Sequence, residues 1–341
     1  MRTINRRSAI LGLAVSGLVL LDHGANAADA VDMAAAKAEG KVIWYTSTPV
    51  ATAQKLAKLF EDQTGIHVEL FRSGGSAVIR RFMQETQGGR ILTDVLTTSD
   101  PAASAELAQK GTFVPFKPAD WDKIPDSVKD PNGAYVAQRL NMMVLYVRSD
   151  KVAEADYPKT WTDATDPKYK GKLVMTDPSF TALQLMVVST MSRKLGWGYY
   201  EKLRKNDIMI VPGNQQVMDM VKRGERVIAV GASDSYATAA RQQGHPIKTL
   251  YPTDGAFIIP SPTAVIKGSP HPNAAKAFAN FMLSLPAQQL FPQNGNYSAR
   301  VDIGPPAGNP KLGDVKAIPI DYVQVRKDSA SVKKKFAEIF E

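Results

Sequence analysis

The 341-residue chain contains no cysteine. That excludes disulfides, thiolate metal sites, cysteine nucleophiles and lipid attachment at a leader cysteine, so the core alone must hold the fold. Histidine is scarce, with four residues in all. His23 lies just after the first apolar segment, His67 in a strand pattern, His245 in Gly-His-Pro and His271 in Pro-His-Pro. No two have metal-ligand spacing, and no His-Glu-x-x-His motif occurs. Gly-x-Ser-x-Gly and the phosphate-binding Walker pattern are missing as well. These absences argue against an enzyme, and no cofactor is expected. Low-complexity tracts and short repeats are missing too. The four tryptophans, Trp44, Trp121, Trp161 and Trp197, are spread out and read as packing residues.

No apolar run is long enough to span a bilayer comfortably; the longest covers residues 9–21. It follows Arg2, Arg6 and Arg7 and precedes the small residues Ala25-Asn26-Ala27. Basic start, apolar centre and small-residue cleavage site read as an export leader over 1–27, with Ala28 as the mature start. The Arg6-Arg7 pair suits the twin-arginine route; a general secretory signal that happens to carry two arginines is the alternative. An exported chain without a lipid anchor is expected in the periplasm.

Net charge is +9. The leader's three arginines against Asp22 account for +2, which leaves about +7 on the mature chain. The basic residues are scattered, so the surplus favours weak attraction of anions and does not point to nucleic acid. Lys333-Lys334-Lys335 sits in a terminal helix pattern and reads as a solvated face.

The remaining residues alternate strand and helix. Strands are expected at 42–45, 68–71 and 94–96, separated by helices at 51–64 and 77–85. Residues 142–147 read as another strand. A second α/β series follows: strands at 172–175, 208–211 and 226–230, and helices at 180–194, 198–206, 214–223 and 236–243. Short strands at 247–250 and 256–259 and helices at 273–283 and 331–340 complete the pattern. Two such units in series, with a late return to the first, imply two lobes, a hinge and a cleft. Open α/β sheets place ligands beyond the carboxyl ends of their strands.

Several segments resemble a known family. They are Val42-Ile43-Trp44-Tyr45 with its polar loop, residues 60–68 as F-E-x-x-T-G-I-x-V, and Arg72-Ser73-Gly74-Gly75-Ser76. Pro158-Lys159-Thr160-Trp161 with the following Asp166-Pro167-Lys168-Tyr169-Lys170-Gly171-Lys172, then Lys222-Arg223-Gly224-Glu225 and Asn296-Tyr297-Ser298-Ala299-Arg300, continue the pattern. The chain resembles the family-1 extracellular solute-binding proteins of ABC importers, which include ferric-ion, thiamine and organophosphate binders. The resemblance implies an α/β, two-lobed periplasmic-binding-protein fold of type II. It places an N-terminal lobe at 28–139 plus 257–300 and a C-terminal lobe at 140–256 plus 301–341. It also implies a monomer that hands a small-molecule ligand to membrane permease subunits. Ferric binders of the family use a histidine, a glutamate and two adjacent tyrosines. Pro49, Ser99, Asp234 and Ser235 stand at those places here, with a single Tyr236 beside them. Fe³⁺ needs several anionic oxygen ligands, so this set does not suit it without a partner anion.

Hydroxyl-rich loops fall where the cleft is expected: Thr46, Ser47 and Thr48 after the first strand, and Ser99 after the third. Ser73, Gly75 and Ser76 lead into a helix; Ser179 and Thr181 open one in the second lobe, and Ser233 and Ser235 another. Free N–H groups at helix starts favour anions, although serine and threonine there also serve as plain caps. Asp234 is read as a cap or as a receiver of a ligand amino group, with Tyr236 as wall or donor. Asn214, with Gln215 beside it, is a further polar helix start. Arg139 and Asn141 lie at the first interlobe crossing. Arg139 has two readings, a fork for a carboxylate or phosphonate and an interlobe salt bridge. Arg72 is read as a surface or turn residue. Together these point to a small organic oxyanion: a phosphonate, phosphate ester or carboxylate. A ferric ion, bare or with an anion, is the alternative within the family, and a periplasmic sensor or enzyme is the alternative outside it.

Overall fold

The computed structural model describes residues 28–341, so the leader reading lies outside the described residues. The first run is α1 (Met33–Glu39), β1 (Lys41–Thr46), α2 (Val50–Thr64), β2 (His67–Arg72), α3 (Gly75–Gln87), β3 (Val95–Thr97), α4 (Pro101–Gln109) and β4 (Phe113–Val114). In α2, Leu56, Ala57 and Phe60 share one buried face, and the helix stops at Gly65 in the left-handed region. Strands β1, β2 and β3 are parallel, with β1 central. Their carboxyl ends therefore share one edge.

The chain then crosses over in β5 (Val136–Arg148). Every residue of β5 but the last is buried, which explains its lack of alternation in the sequence. The second run is β6 (Leu173–Thr176), α5 (Ala182–Leu195), α6 (Gly198–Lys205), β7 (Met209–Val211), α7 (Asn214–Arg223), β8 (Ile228–Ser233), α8 (Asp234–Gln242) and β9 (Ile247–Leu250). Strand β6 is parallel to both β7 and β8, so again three carboxyl ends point one way. The return is β10 (Phe257–Ile266), then α9 (Pro272–Leu283), α10 (Leu285–Gln293), β11 (Tyr297–Ser298) and α11 (Tyr322–Phe340).

One sheet joins everything, in the order β2-β1-β3-β10-β5-β8-β6-β7, with β4 beside β10 and β9 and β11 beside β5. The antiparallel β5–β10 pair is its centre. The apolar cores divide around that pair. Trp44, Phe60, Phe278 and Phe291 pack in one, while Trp161, Met186, Tyr200 and Phe336 pack in another. Trp44, Trp121 and Trp161 are buried, and Trp197 packs against the second core. The architecture is the expected two-lobed α/β one.

Several elements exceed the sequence reading. Helix α4 went unread, although Asp100 caps it and Pro101 opens it. Strand β10 runs on to Ile266 through Pro260 and Pro262, with a register shift at Ser261/Pro262 that accommodates the prolines. Helix α10 contains Pro292, and α11 starts at Tyr322, nine residues earlier than expected, under an Asp321 cap.

Candidate functional site

The two sets of strand ends face each other across a cavity of about 280 Å³. Five helices begin on its wall. Their N-cap residues are Pro49 for α2, Gly74 for α3, Thr181 for α5, Gly213 for α7 and Ser233 for α8. None of the five caps accepts a first-turn backbone N–H of its own helix through its side chain. Each helix start carries first-turn N–H groups without an intrahelical partner and the positive end of a dipole. By contrast, α1, α4 and α11 start elsewhere, and each has an aspartate that accepts a first-turn N–H. At these three starts the chain supplies its own carboxylate; α6 and α10, which also begin away from the cavity, have no side-chain cap.

Two arginines reach the same cavity, and no aspartate or glutamate lines it. Arg139, on β5, is 2% exposed. It donates Nη1 to Asn141 Oδ1 and Nη2 to the Ser47 carbonyl (3.3 Å), while its Nε has no partner. No described carboxylate pairs with it, so the interlobe salt bridge is absent and that reading is corrected. Burial, with Arg72 adding to it, pushes the guanidinium down to about 10. A buried cation facing only neutral acceptors is costly unless an anion joins it. Arg72, the last residue of β2, is half-buried and not a free surface group. Its Nε donates to the Thr48 carbonyl (3.0 Å) and its Nη2 lies 3.4 Å from the Tyr236 hydroxyl on α8.

Hydroxyls complete the wall. Ser47 Oγ accepts the Ser99 N–H (2.9 Å) and donates to Ser99 Oγ (3.3 Å). Ser233 and Ser235 share a hydrogen bond at 2.9 Å, and Asn214 Oδ1 accepts the Ser233 N–H. Ser73, Gly75, Asn141 and Thr181 also line the cavity. Eleven of the sixteen residues singled out in the sequence therefore meet here.

The other five do not reach the wall. Thr46 and Thr48 bond each other (2.9 Å), and Thr48 accepts Gln138 (2.7 Å), so they brace the loop from beneath. Ser76 turns into a separate crevice beside Arg80 and Lys333. Ser179 donates its N–H to Asp177 Oδ1, and its carbonyl accepts Arg80 Nη1. Asp234 is 1% exposed and turned toward the hinge, where it accepts the backbone N–H groups of Met142 and Ser235 and Asn309 Nδ2 (3.3 Å). Burial pushes its carboxyl up to about 8. It is not placed to receive a ligand amino group.

Sequence reasoning missed Arg72, Phe180 and the backbone segments Pro49 and Pro212-Gly213; Gly74, read with Gly75 as a glycine that lets backbone approach a ligand, is on the wall. Arg72 was findable, because it ends a strand on the ligand edge of the sheet. Phe180 and Pro212 carry no such signal. The lobes meet at this point. A Cβ built on Gly74 would lie 2.7 Å from the Phe180 carbonyl oxygen, and one on Gly75 would lie 3.3 Å from Ala182 Cβ.

Among the described residues, no group of three histidine, aspartate or glutamate side chains is arranged to hold a metal ion, and no helix is long and apolar enough to cross a membrane.

Residues 91–324 match the family model described as bacterial extracellular solute-binding protein. A Salmonella typhimurium protein, named as a candidate 2-aminoethylphosphonate-binding periplasmic protein, is 28% identical over 240 residues, covering 67% of this chain and 68% of its own. The Fe(3+)-binding periplasmic protein of Serratia marcescens is 24% identical over 307 residues, covering 85% of this chain and 88% of its own. Among solved structures, the periplasmic binding protein AfuA of Actinobacillus pleuropneumoniae, with fructose-6-phosphate bound, superposes with a TM-score of 0.78. That match covers 88% of this chain and 98% of AfuA at 19% identity, and it shows a shared fold.

Proposed function

Because the chain belongs to the bacterial extracellular solute-binding proteins, we propose that its interlobe cavity captures a small organic oxyanion for delivery to an ABC permease. The protein is periplasmic and acts as a binding protein of an ABC transporter. The ligand class is a phosphonate, phosphate ester or carboxylate. One observation carries this reading: Arg139 is buried on the cavity wall with no carboxylate to neutralise it. Arg72 and five helix starts without side-chain caps add to the same field. Each dipole alone is worth about 0.3–1 kcal/mol, but a dry, closed cleft strengthens every contact.

Among the relatives, one is named for a phosphonate with an amino group and one for ferric ion. The wall offers neither a carboxylate for an ammonium nor more than the single tyrosine Tyr236 for iron. A plain oxyanion suits it better than either. In this reading residues 28–139 with 257–300 and 140–256 with 301–341 are the bodies that close on the ligand. The closed monomer is the form that docks on the permease.

Calorimetric titration with phosphonates, phosphate esters and carboxylates tests the reading. At least one class should bind, and Arg139→Gln should weaken it by about 2–5 kcal/mol. An unchanged affinity in Arg139→Gln would remove the main support.

A further inference from the structure

A second crevice, of about 310 Å³, adjoins the inner cavity and shares Pro49, Gln215, Ser235 and Tyr236 with it. One side is built from α2 and the end of α10, the other from α7 and α8. The turn after α10 comes close to α8 because it carries glycine: a Cβ on Gly295 would lie 2.7 Å from the Ser235 carbonyl oxygen.

The chemistry of this crevice differs from that of the inner cavity. It has two lysines and no carboxylate. Both cations are already engaged by amide oxygens, Lys55 by Asn294 Oδ1 (2.6 Å) and Lys222 by Gln243 Oε1 (3.2 Å). Gln242, Gln293 and Asn296 extend the amide lining. Asp219, which holds Gln215 Nε2 at 2.8 Å, lies outside the lining. Asn296 is 2% exposed, gives Nδ2 to the Asn294 carbonyl (3.0 Å), and keeps an Oδ1 that has no partner among the described residues. A buried acceptor left unmatched is costly, and a hydroxyl donor would relieve it.

Each class of ligand tail can be weighed against this lining. An ammonium would meet two lysines and no acid. An apolar tail would cover Val50, Ala51, Met218 and Ala239, which also line the crevice, but would strip water from the amides without replacing it. A second full anion would suit the two lysines but has no donor for the unmatched Asn296 Oδ1. Hydroxyls, which donate and accept, match side-chain amides in both roles.

We propose that the crevice is the outer compartment of the ligand site and receives a neutral, hydroxyl-bearing tail, so that the ligand is a phosphorylated or carboxylated polyol. This rests on the oxyanion reading of the inner cavity, which holds the charged head. Tyr236 and Gln215, common to both compartments, mark the passage between them.

The test compares head alone with head plus tail on the full mature chain. Methyl phosphate supplies the head. Glycerol 3-phosphate, ribose 5-phosphate and glucose 6-phosphate add hydroxyl tails, and 2-aminoethylphosphonate adds an ammonium. By calorimetry, the best polyol phosphate should bind at least about tenfold more tightly than methyl phosphate, and 2-aminoethylphosphonate no more tightly than it. Gln243 and Gln293 are exposed, come from opposite sides, and can be removed without touching the core. The Gln243→Ala/Gln293→Ala variant should lose about tenfold for the polyol phosphate and nothing for methyl phosphate. Equal affinity for all phosphates, or an unaffected double variant, overturns the outer compartment and leaves the oxyanion reading intact. If no phosphate or carboxylate binds at all, both readings fall together.

Discussion

Arg139 on β5, and Asp234, which accepts the N–H of Met142 on the same strand, have opposite uses. Arg139 faces the cavity without an acid; Asp234 faces the hinge without a base in contact. The buried carboxyl titrates near 8 in the folded protein, against about 3.8 ordinarily. Between those values the native state holds a proton that the unfolded chain has released. The stability contributed by this group is thus full below about pH 4 and is lost as pH rises toward 8. Asp234→Asn should flatten the fall of Tm over that window and leave oxyanion affinity unchanged. A Tm profile parallel to wild type, or a lost affinity, would contradict the assignment. The sequence could name both residues but not their directions. Asp234 opens a helix on the ligand edge of the sheet, as Ser233 and Ser235 do, and only the packing of Met142 and Asn309 turns its carboxylate away. Arg72 is the reverse case: its place at the end of β2 was visible, and its approach to Tyr236 on the other lobe was not.

At the scale of elements, the five helix starts behave as one device. None has a side-chain cap bond from its N-cap residue, and only in α8 does a side chain, that of Asp234, take a first-turn N–H, so at the other four the ligand competes with water for these donors. A helix that is given its own cap should become more stable and bind worse. Thr181 precedes α5 with extended backbone (φ −119°, ψ 125°), as a capping residue requires. Thr181→Asp should raise the stability of the ligand-free protein by about 0.5–2 kcal/mol. It should also cost several kcal/mol in oxyanion affinity, because a carboxylate then stands in the ligand's field. Thermal melting and calorimetry on the same preparation read the two signs, and a loss of both would assign Thr181 to packing alone. Elements like these were largely legible, because the 3.6-residue period of α2 and α7 and the β-rich run of β1 survive in the sequence. Elements obscured by proline were not. Pro260 and Pro262 hide a ten-residue strand, which the sheet tolerates through a register shift. Helix α4, rich in alanine and weakly two-faced, offers only its Asp100-Pro101 start as a signal.

For the whole molecule, the proposed closure on a ligand depends on how closely the lobes approach, and Gly74 lies where they meet. Its backbone (φ −64°, ψ 152°) is one that alanine adopts without strain, so the glycine is not needed for its conformation. What it lacks is a side chain: a Cβ there would lie 2.7 Å from the Phe180 carbonyl oxygen across the cleft. That oxygen belongs to backbone leading into α5 and cannot rotate away as a flexible side chain would. Gly74→Ala acts on the two forms differently. In the open form the substitution is neutral or slightly favourable, by about 0.4–1 kcal/mol, because the unfolded chain loses freedom. In the closed form it forces the lobes apart at an overpacking cost of about 1–3 kcal/mol. Since the ligand must draw the protein into the closed form, that cost appears in affinity, as a loss of roughly five- to hundredfold. The ligand-free protein should melt no lower than wild type. Such a split, affinity lost with stability kept, cannot come from damage to the fold. An affinity equal to wild type would mean that the ligand is held without this approach of Gly74 to Phe180, and that closure does not depend on it.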